Sequence, residues 1–139
     1  STAACRGAKK YGGLTVGFTY EKGKDIYMPE NADIIICSGL VRGGGRELVL
    51  ALSCDSMIAI SGGSGTLTEL AIAYQASIPI VLLRGVGGWS DKLAYVNEQF
   101  GNYFDSRRQI VYEAKMPEEA VDLAVTLGRE YMSRIRREI

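Results

Sequence analysis

Apolar residues in this chain come in short unbroken runs, set apart by longer stretches of mixed character. Leu14 to Phe18, Ala32 to Cys37 (with Ile34, Ile35 and Ile36 at its centre), Asp55 to Ile60, Ile78 to Leu83 and Ile110 to Glu113 each read as a strand. Runs that do not alternate with polar residues belong to strands covered on both faces. Helices are predicted between them. Residues 3–11 look like the end of one, stopped by Gly12-Gly13. Others run from Arg46 to Ser53, from Thr66 to Ala76, and from a capping Ser90 to about Phe100. The last runs to about Arg137, with Pro117, Glu118 and Glu119 in its first turn. Residues 21–31 are polar and hold Pro29, so they read as a loop. Pro79 falls near the start of its strand, where a missing donor is tolerated. Strands alternating with helices predict an α/β fold. The expected form is a doubly wound, mainly parallel Rossmann-like sheet with helices on both faces, in a single domain spanning residues 1–139.

In such sheets ligands lie beyond the carboxyl ends of the strands. Here those ends read Cys37-Ser38-Gly39, Ser61-Gly62-Gly63 and Arg84-Gly85, and their shared glycines suggest one crevice. The middle one is the most informative. A short strand, Met57 to Ile60, runs into Gly62-Gly63-Ser64-Gly65, and a helix opens near Thr66. A helix start carries backbone N–H groups without intrahelical partners, at the positive end of a dipole worth about half a charge. Glycines let the backbone take positive φ and let an anion come close, and a phosphate fits such a place. Glu69 lies one turn in, on the same face as Thr66. The same residues can be read as a capping box, Thr66-x-x-Glu69, but a cap requires none of the three glycines. The spacing matches neither the Walker pattern, since no Lys follows, nor the dinucleotide fingerprint.

Two arginines precede this motif. Arg42 sits in the glycine-rich loop Gly39 to Gly45, and Arg46 opens the next helix. Either guanidinium suits a phosphate or carboxylate, and either can be a surface arginine, Arg46 beside Glu47. Trp89, the single tryptophan, follows Gly85-Val86-Gly87-Gly88. It is placed to stack on a ring, or to seal the loop to the core or to a partner. Tyr103, Phe104 and Tyr112 read as packing residues, and Asp105-Ser106-Arg107-Arg108 as a turn with solvated charges.

Composition narrows the chemistry. The 139 residues are 47% hydrophobic, enough for a core. Sixteen Lys and Arg balance sixteen Asp and Glu, so no overall field draws nucleic acid or anionic lipid, and any anion site must be local. Arg134, Arg136 and Arg137 read as dipole-favoured cations at a helix C-terminus. Three widely spaced cysteines form no CxxC and no disulfide frame, which points to a reducing cytoplasm. Cys37 and Cys54, in apolar runs, read as small core residues. No signal-peptide pattern and no apolar run near 18 residues is seen, so no membrane span is expected. With no histidine, Ser-His and Cys-His nucleophile pairs and the usual zinc sites are excluded, and no metal site is expected. Acid–base chemistry would rest on carboxylates, Tyr, Lys or water.

Ser61-Gly-Gly-Ser-Gly-Thr-Leu-Thr-Glu69 resembles the PGGxGTxxE motif of the Lonely Guy family, the cytokinin riboside 5′-monophosphate phosphoribohydrolases. Arg46, nine residues before Asp55, falls where that family has the arginine of its second motif. Gly87-Gly88-Trp89-Ser90-Asp91 and the Asp105 to Arg108 segment resemble more closely the relatives grouped with molybdenum-cofactor carrier proteins. The resemblance covers essentially the whole chain. Many members carry an old lysine decarboxylase label, yet no lysine here sits in a pyridoxal-phosphate setting. Ser61 stands in place of the motif's Pro, and Gly43-Gly44-Gly45 in place of the hydrolases' Met-His-Glu. Family members also begin with a strand, a helix and a second strand ending in a Gly-Gly phosphate loop. Ser1-Thr2-Ala3-Ala4 resembles the helix after that loop. The comparison therefore implies that roughly one βα unit plus a strand, on the order of 40 residues, precedes this point in relatives. The expectation is an N-terminally truncated protein or a partial sequence.

Three functional readings follow. In the first, the protein is a carrier or sensor for a phosphorylated nucleotide or pterin-type ligand, including the molybdenum cofactor. Gly62, Gly63, Ser64, Gly65 and Thr66 would hold the phosphate, with Arg46, Arg42 and the Gly39 turn near it and Trp89 covering the ring. In the second, it is an enzyme that cleaves the N-glycosidic bond of a nucleoside 5′-monophosphate to free base and ribose 5-phosphate. Glu69 would then stabilise the oxocarbenium-like centre or activate water, and Arg46 would orient phosphate or base. In the third, the site is vestigial and the protein only assembles. The missing Met-His-Glu favours binding over hydrolysis. Apolar residues on several faces of the Pro117–Arg137 and Arg46–Ser53 helices, and the resemblance, imply at least a homodimer.

Overall fold

A computed structural model describes residues 2–21, 32–41, 43–100 and 109–138. The loop expected at 21–31 lies outside these residues apart from Glu21, as do Arg42, Tyr103, Phe104 and the whole Asp105 to Arg108 turn. In order, the elements are α1 (Thr2–Lys10), β1 (Val16–Thr19), β2 (Ile34–Cys37), α2 (Arg46–Leu52), β3 (Met57–Ala59), α3 (Ser64–Gln75), β4 (Ile80–Leu83), α4 (Gly88–Phe100), β5 (Val111–Ala114) and α5 (Pro117–Glu138). All strand pairing among them is parallel. This is the expected Rossmann-like α/β architecture, and the chain divides into two compact units, residues 1–50 and 51–139.

In the first unit β1 pairs with β2, Val16 opposite Ile34 and Phe18 opposite Ile36. The start of the pair is fixed by Asp33. Its carboxylate accepts from the Thr15 amide at 2.8 Å and the Thr15 hydroxyl at 2.7 Å, and it pairs with Lys9 at the end of α1 at 3.1 Å. The Thr15 hydroxyl bond, then the amide bond, holds this carboxyl below the usual aspartate range. Full coverage of these strands is not what forms. Val16, Ile34 and Ile36, which share one face by register, are exposed.

The second unit behaves as the apolar runs predict. Its sheet has the order β3-β4-β5, and all four residues of the central β4 are buried. Side chains alternate between faces along a strand. Ile80 and Leu82 accordingly join Leu70 and Ala73 of α3 and Leu93 and Ala94 of α4 in one apolar cluster. Val81 and Leu83 join Ala120, Ala124 and Leu127 of α5 in the other. Two helices thus cover one face and one covers the opposite face. Both turns that open helices at the carboxyl ends of β3 and β4 belong to this unit.

Candidate functional site

β3 ends at Ala59, and the chain reverses through Ile60 to Gly63 into α3. The helix begins two residues before Thr66. Gly63 occupies the cap position, and no side chain caps the end. The capping-box reading therefore does not hold, because Thr66 already lies inside the helix. Its methyl and hydroxyl instead fill the space that a Cβ on Gly62 would need. Leu67 is the first residue here whose amide finds a backbone acceptor, Gly63 O at 3.1 Å. Among the described residues no acceptor meets the amides of Gly63, Ser64, Gly65 and Thr66. Gly63 and Ser64 are exposed. The end is thus open, polar and at the positive pole of a twelve-residue helix.

The β4 end is built differently. The sequence makes Ser90 the cap of its helix, but α4 starts at Gly88 and Ser90 lies within its first turn. The cap is Asp91, whose two carboxylate oxygens accept from the amides of Gly85 at 2.8 Å and Gly87 at 2.6 Å. These bonds, Gly85 first and then Gly87, hold the Asp91 carboxyl below the usual range. The next amides of α4 turn to the neighbouring loop: Trp89 N–H donates to Gly62 O at 3.1 Å and Ser90 N–H to Ser61 O at 3.2 Å. At this terminus the amides of Gly87, Trp89 and Ser90 thus have acceptors within the protein. Beside it Arg84, at the end of β4, pairs with Glu98 at 2.6 Å, with Glu113 and, at 3.5 Å, with Asp91. The two glutamates, Glu98 first, push its pKa up. Neither Arg84 nor this role of Asp91 was anticipated. The available signal was an arginine closing a fully apolar strand.

Glu69 is half-buried one turn into α3. Its charge reaches Cys54, whose thiol pKa is raised by burial first, then by Asp55 and Glu69, as befits an unreactive thiol. Trp89 is half-buried, with the Lys92 ammonium 5.3 Å from its ring centroid, so a cation already uses its π-system. These residues, with Gly62 to Thr66, share the second unit. Gly39 and Arg46 belong to the first. Gly39, with its amide on Glu21 O at 3.2 Å, makes the turn after β2. Arg46 opens α2 and donates to Glu47 at 3.1 Å. Glu47 is only 2% exposed, and it also accepts from Gly43 N–H at 3.2 Å. Its own backbone N–H lowers its pKa most, with Arg46 adding to this against the opposing effect of burial. In the sequence Glu47 stands out only as a neighbour of Arg46, since nothing in a lone Arg-Glu pair signals burial.

A family model for the SLOG cluster4 family matches residues 1–121. The chain belongs to this family. Solved structures agree with the fold. The protein TM1055 superposes with a TM-score of 0.75 at 32% identity, over 88% of this chain and 69% of that one. The molybdenum cofactor binding protein of Rippkaea orientalis gives 0.66 at 30% identity, and the molybdenum cofactor carrier protein of Chlamydomonas reinhardtii 0.64 at 30%. Each covers 89% of this chain and 68% of its own. Among curated proteins, an uncharacterized protein of Archaeoglobus fulgidus is 35% identical over 82 residues. The match takes in 59% of this chain and 52% of that protein, so the chain aligns with about half the length of this relative. The Lonely Guy and molybdenum-cofactor-carrier likeness read from the motifs is thus the family likeness. Among the described residues no helix is long and apolar enough to cross a membrane, and no cluster of His, Cys, Asp or Glu is arranged to hold a metal ion.

Proposed function

We propose that this protein binds a small phosphorylated ligand, of nucleotide or pterin type, with its phosphate on the head of α3. The observation that carries this reading is the contrast between the two helix starts. At the head of α4 the amides of Gly87, Trp89 and Ser90 are taken by Asp91, Gly62 and Ser61, while at α3 those of Gly63 to Thr66 meet no acceptor among the described residues. Similarity to a molybdenum cofactor binding protein and to a molybdenum cofactor carrier protein supports a carrier and makes that cofactor a candidate ligand. In this reading Gly62, Gly63, Ser64, Gly65 and Thr66 form the phosphate loop, Trp89 borders the ring, and Arg46, Arg42 and Gly39 are offered as further contacts.

Incubation with AMP tests the reading against hydrolysis. The expected result is saturable binding with AMP recovered intact. Release of adenine and ribose 5-phosphate, lost in Glu69→Gln, would make the protein an N-glycosidic hydrolase with Glu69 and Arg46 as its reacting groups. Mass spectrometry of whatever co-purifies identifies the natural ligand. We further propose at least a homodimer. Leu48 and Leu52 of α2 and Val121 and Val125 of α5 form exposed i, i+4 apolar pairs, which light scattering should find covered by association. The three free thiols suit a reducing compartment such as the cytoplasm.

A further inference from the structure

We propose that Ser90 is a positioning residue for the anion site on α3: it sets the shape of the Ser61–Gly63 turn and so the aim of the amides behind it. The proposal rests on the reading of that site given above. Ser90 has no exposed surface. Its hydroxyl donates to Gly87 O at 3.1 Å and accepts from Ser61 N–H at 3.0 Å, and its own amide donates to Ser61 O at 3.2 Å. Both polar groups of the Ser61 backbone are therefore held by one buried residue of α4. Trp89 N–H adds a third bond, to Gly62 O.

The turn needs such a hold. Ser61 has φ +59, a left-handed conformation that a residue with a side chain adopts at a cost and keeps only when its surroundings over-determine it. The fit is close as well as polar. A Cβ on Gly88 would lie 2.6 Å from Gly62 N and 2.7 Å from Gly62 O, so the first turn of α4 lies directly against the peptide that leads into the phosphate loop. Ser90 does not reach the amides of Gly63 to Thr66. It acts on them through Ser61 and Gly62.

Two readouts on the full chain separate this proposal from the reading beneath it. The first is hydrogen exchange, which needs no ligand. Ser90→Ala removes the acceptor of the part-buried Ser61 amide, so that amide, with the Trp89 and residue-90 amides that bind the same turn, should exchange about tenfold faster, while those of Val81 and Leu82 in β4 stay as slow as before. Gly88→Ala, acting on the same contact from the other side, should do likewise. The second is the affinity for inorganic phosphate, which should fall in both variants by about the same factor at unchanged β4 protection. Wild-type exchange rates at the Ser61 and Trp89 amides in Ser90→Ala would overturn the proposal. So would faster exchange there with phosphate affinity unaltered. If wild-type protein binds no phosphate while the exchange result is as expected, the phosphate reading fails, and with it the role of Ser90 at an anion site, leaving Ser90 a loop anchor.

Discussion

Replacing Gly62 with alanine should cost far more than replacing Gly85, although both glycines have positive φ, +103 and +80. At Gly85 an added Cβ would meet nothing within 4 Å, so the penalty is that of a left-handed conformation alone, about 1–2 kcal/mol. At Gly62 the same methyl would lie 2.5 Å from Thr66 Cβ and 2.6 Å from its Cγ2. Rotating Thr66 moves its hydroxyl and methyl but leaves Cβ in place, so α3 or the turn must shift. Overpacking of this kind adds about 1–3 kcal/mol, for a total of about 2–5 kcal/mol. That is a large part of the roughly 5–15 kcal/mol available to a domain. Urea unfolding followed by Trp89, the single tryptophan and a member of the same unit, reads the difference directly. Thr66→Ala should not rescue Gly62→Ala, because the clashing Cβ remains. Equal destabilisation by the two glycine variants, within about 0.5 kcal/mol, would refute the packing argument.

Other consequences follow from the same loops. Ser61→Pro would restore the residue of the Lonely Guy motif. Proline cannot reach φ +59 and has no N–H for Ser90, so a loss of about 3 kcal/mol or more is expected by thermal melting, and unchanged stability would contradict the turn geometry. Asp91 has a folded-state pKa below its ordinary 3.8, so its contribution is complete above that value and is lost as pH falls through the lower folded value. The urea midpoint should therefore drop below about pH 4, and Asp91→Asn should be less stable at pH 7 and flatter across this acid window. Glu47, likewise held below 4.5, gives the same sign: Glu47→Gln should destabilise the first unit at neutral pH and lose that deficit in acid, as circular dichroism across pH 2–7 would register.

Much of this architecture was legible from apolar runs and glycines, and the departures have physical causes. β4 announced itself because Ile80 to Leu83 must be apolar on both faces, and α5 because Pro117 followed by Glu118 and Glu119 suits only a helix start. Helix starts were misplaced by two residues at the first glycine loop and by three at the second. Thr66 and Ser90 have capping chemistry, yet the ends are set by the backbone of Gly63 and Gly88, and the two side chains serve loop packing instead. The strand pairing behind the three glycine-marked strand ends was not legible. β2 pairs with β1, and β3 with β4, so Gly39 ends a strand of one sheet while Gly62 and Gly85 follow strands of another. Long-range polar partners were invisible: no local pattern tells that Arg84 will meet Glu98 and Glu113, or that Ser61 will borrow an acceptor 29 residues away.

We propose that an anion sits on the head of α3, where the amides of Gly63 to Thr66 meet no acceptor among the described residues, and not on the head of α4, where those of Gly87, Trp89 and Ser90 do. Titrating isotopically labelled protein with inorganic phosphate and with AMP, while following backbone amide resonances, tests it most directly. Saturable shifts at Gly63, Ser64, Gly65 and Thr66, with Gly85 and Gly87 unmoved on Asp91, are the predicted result. Resonances at the head of α3 that stay fixed while both ligands saturate elsewhere, or do not bind at all, would contradict it.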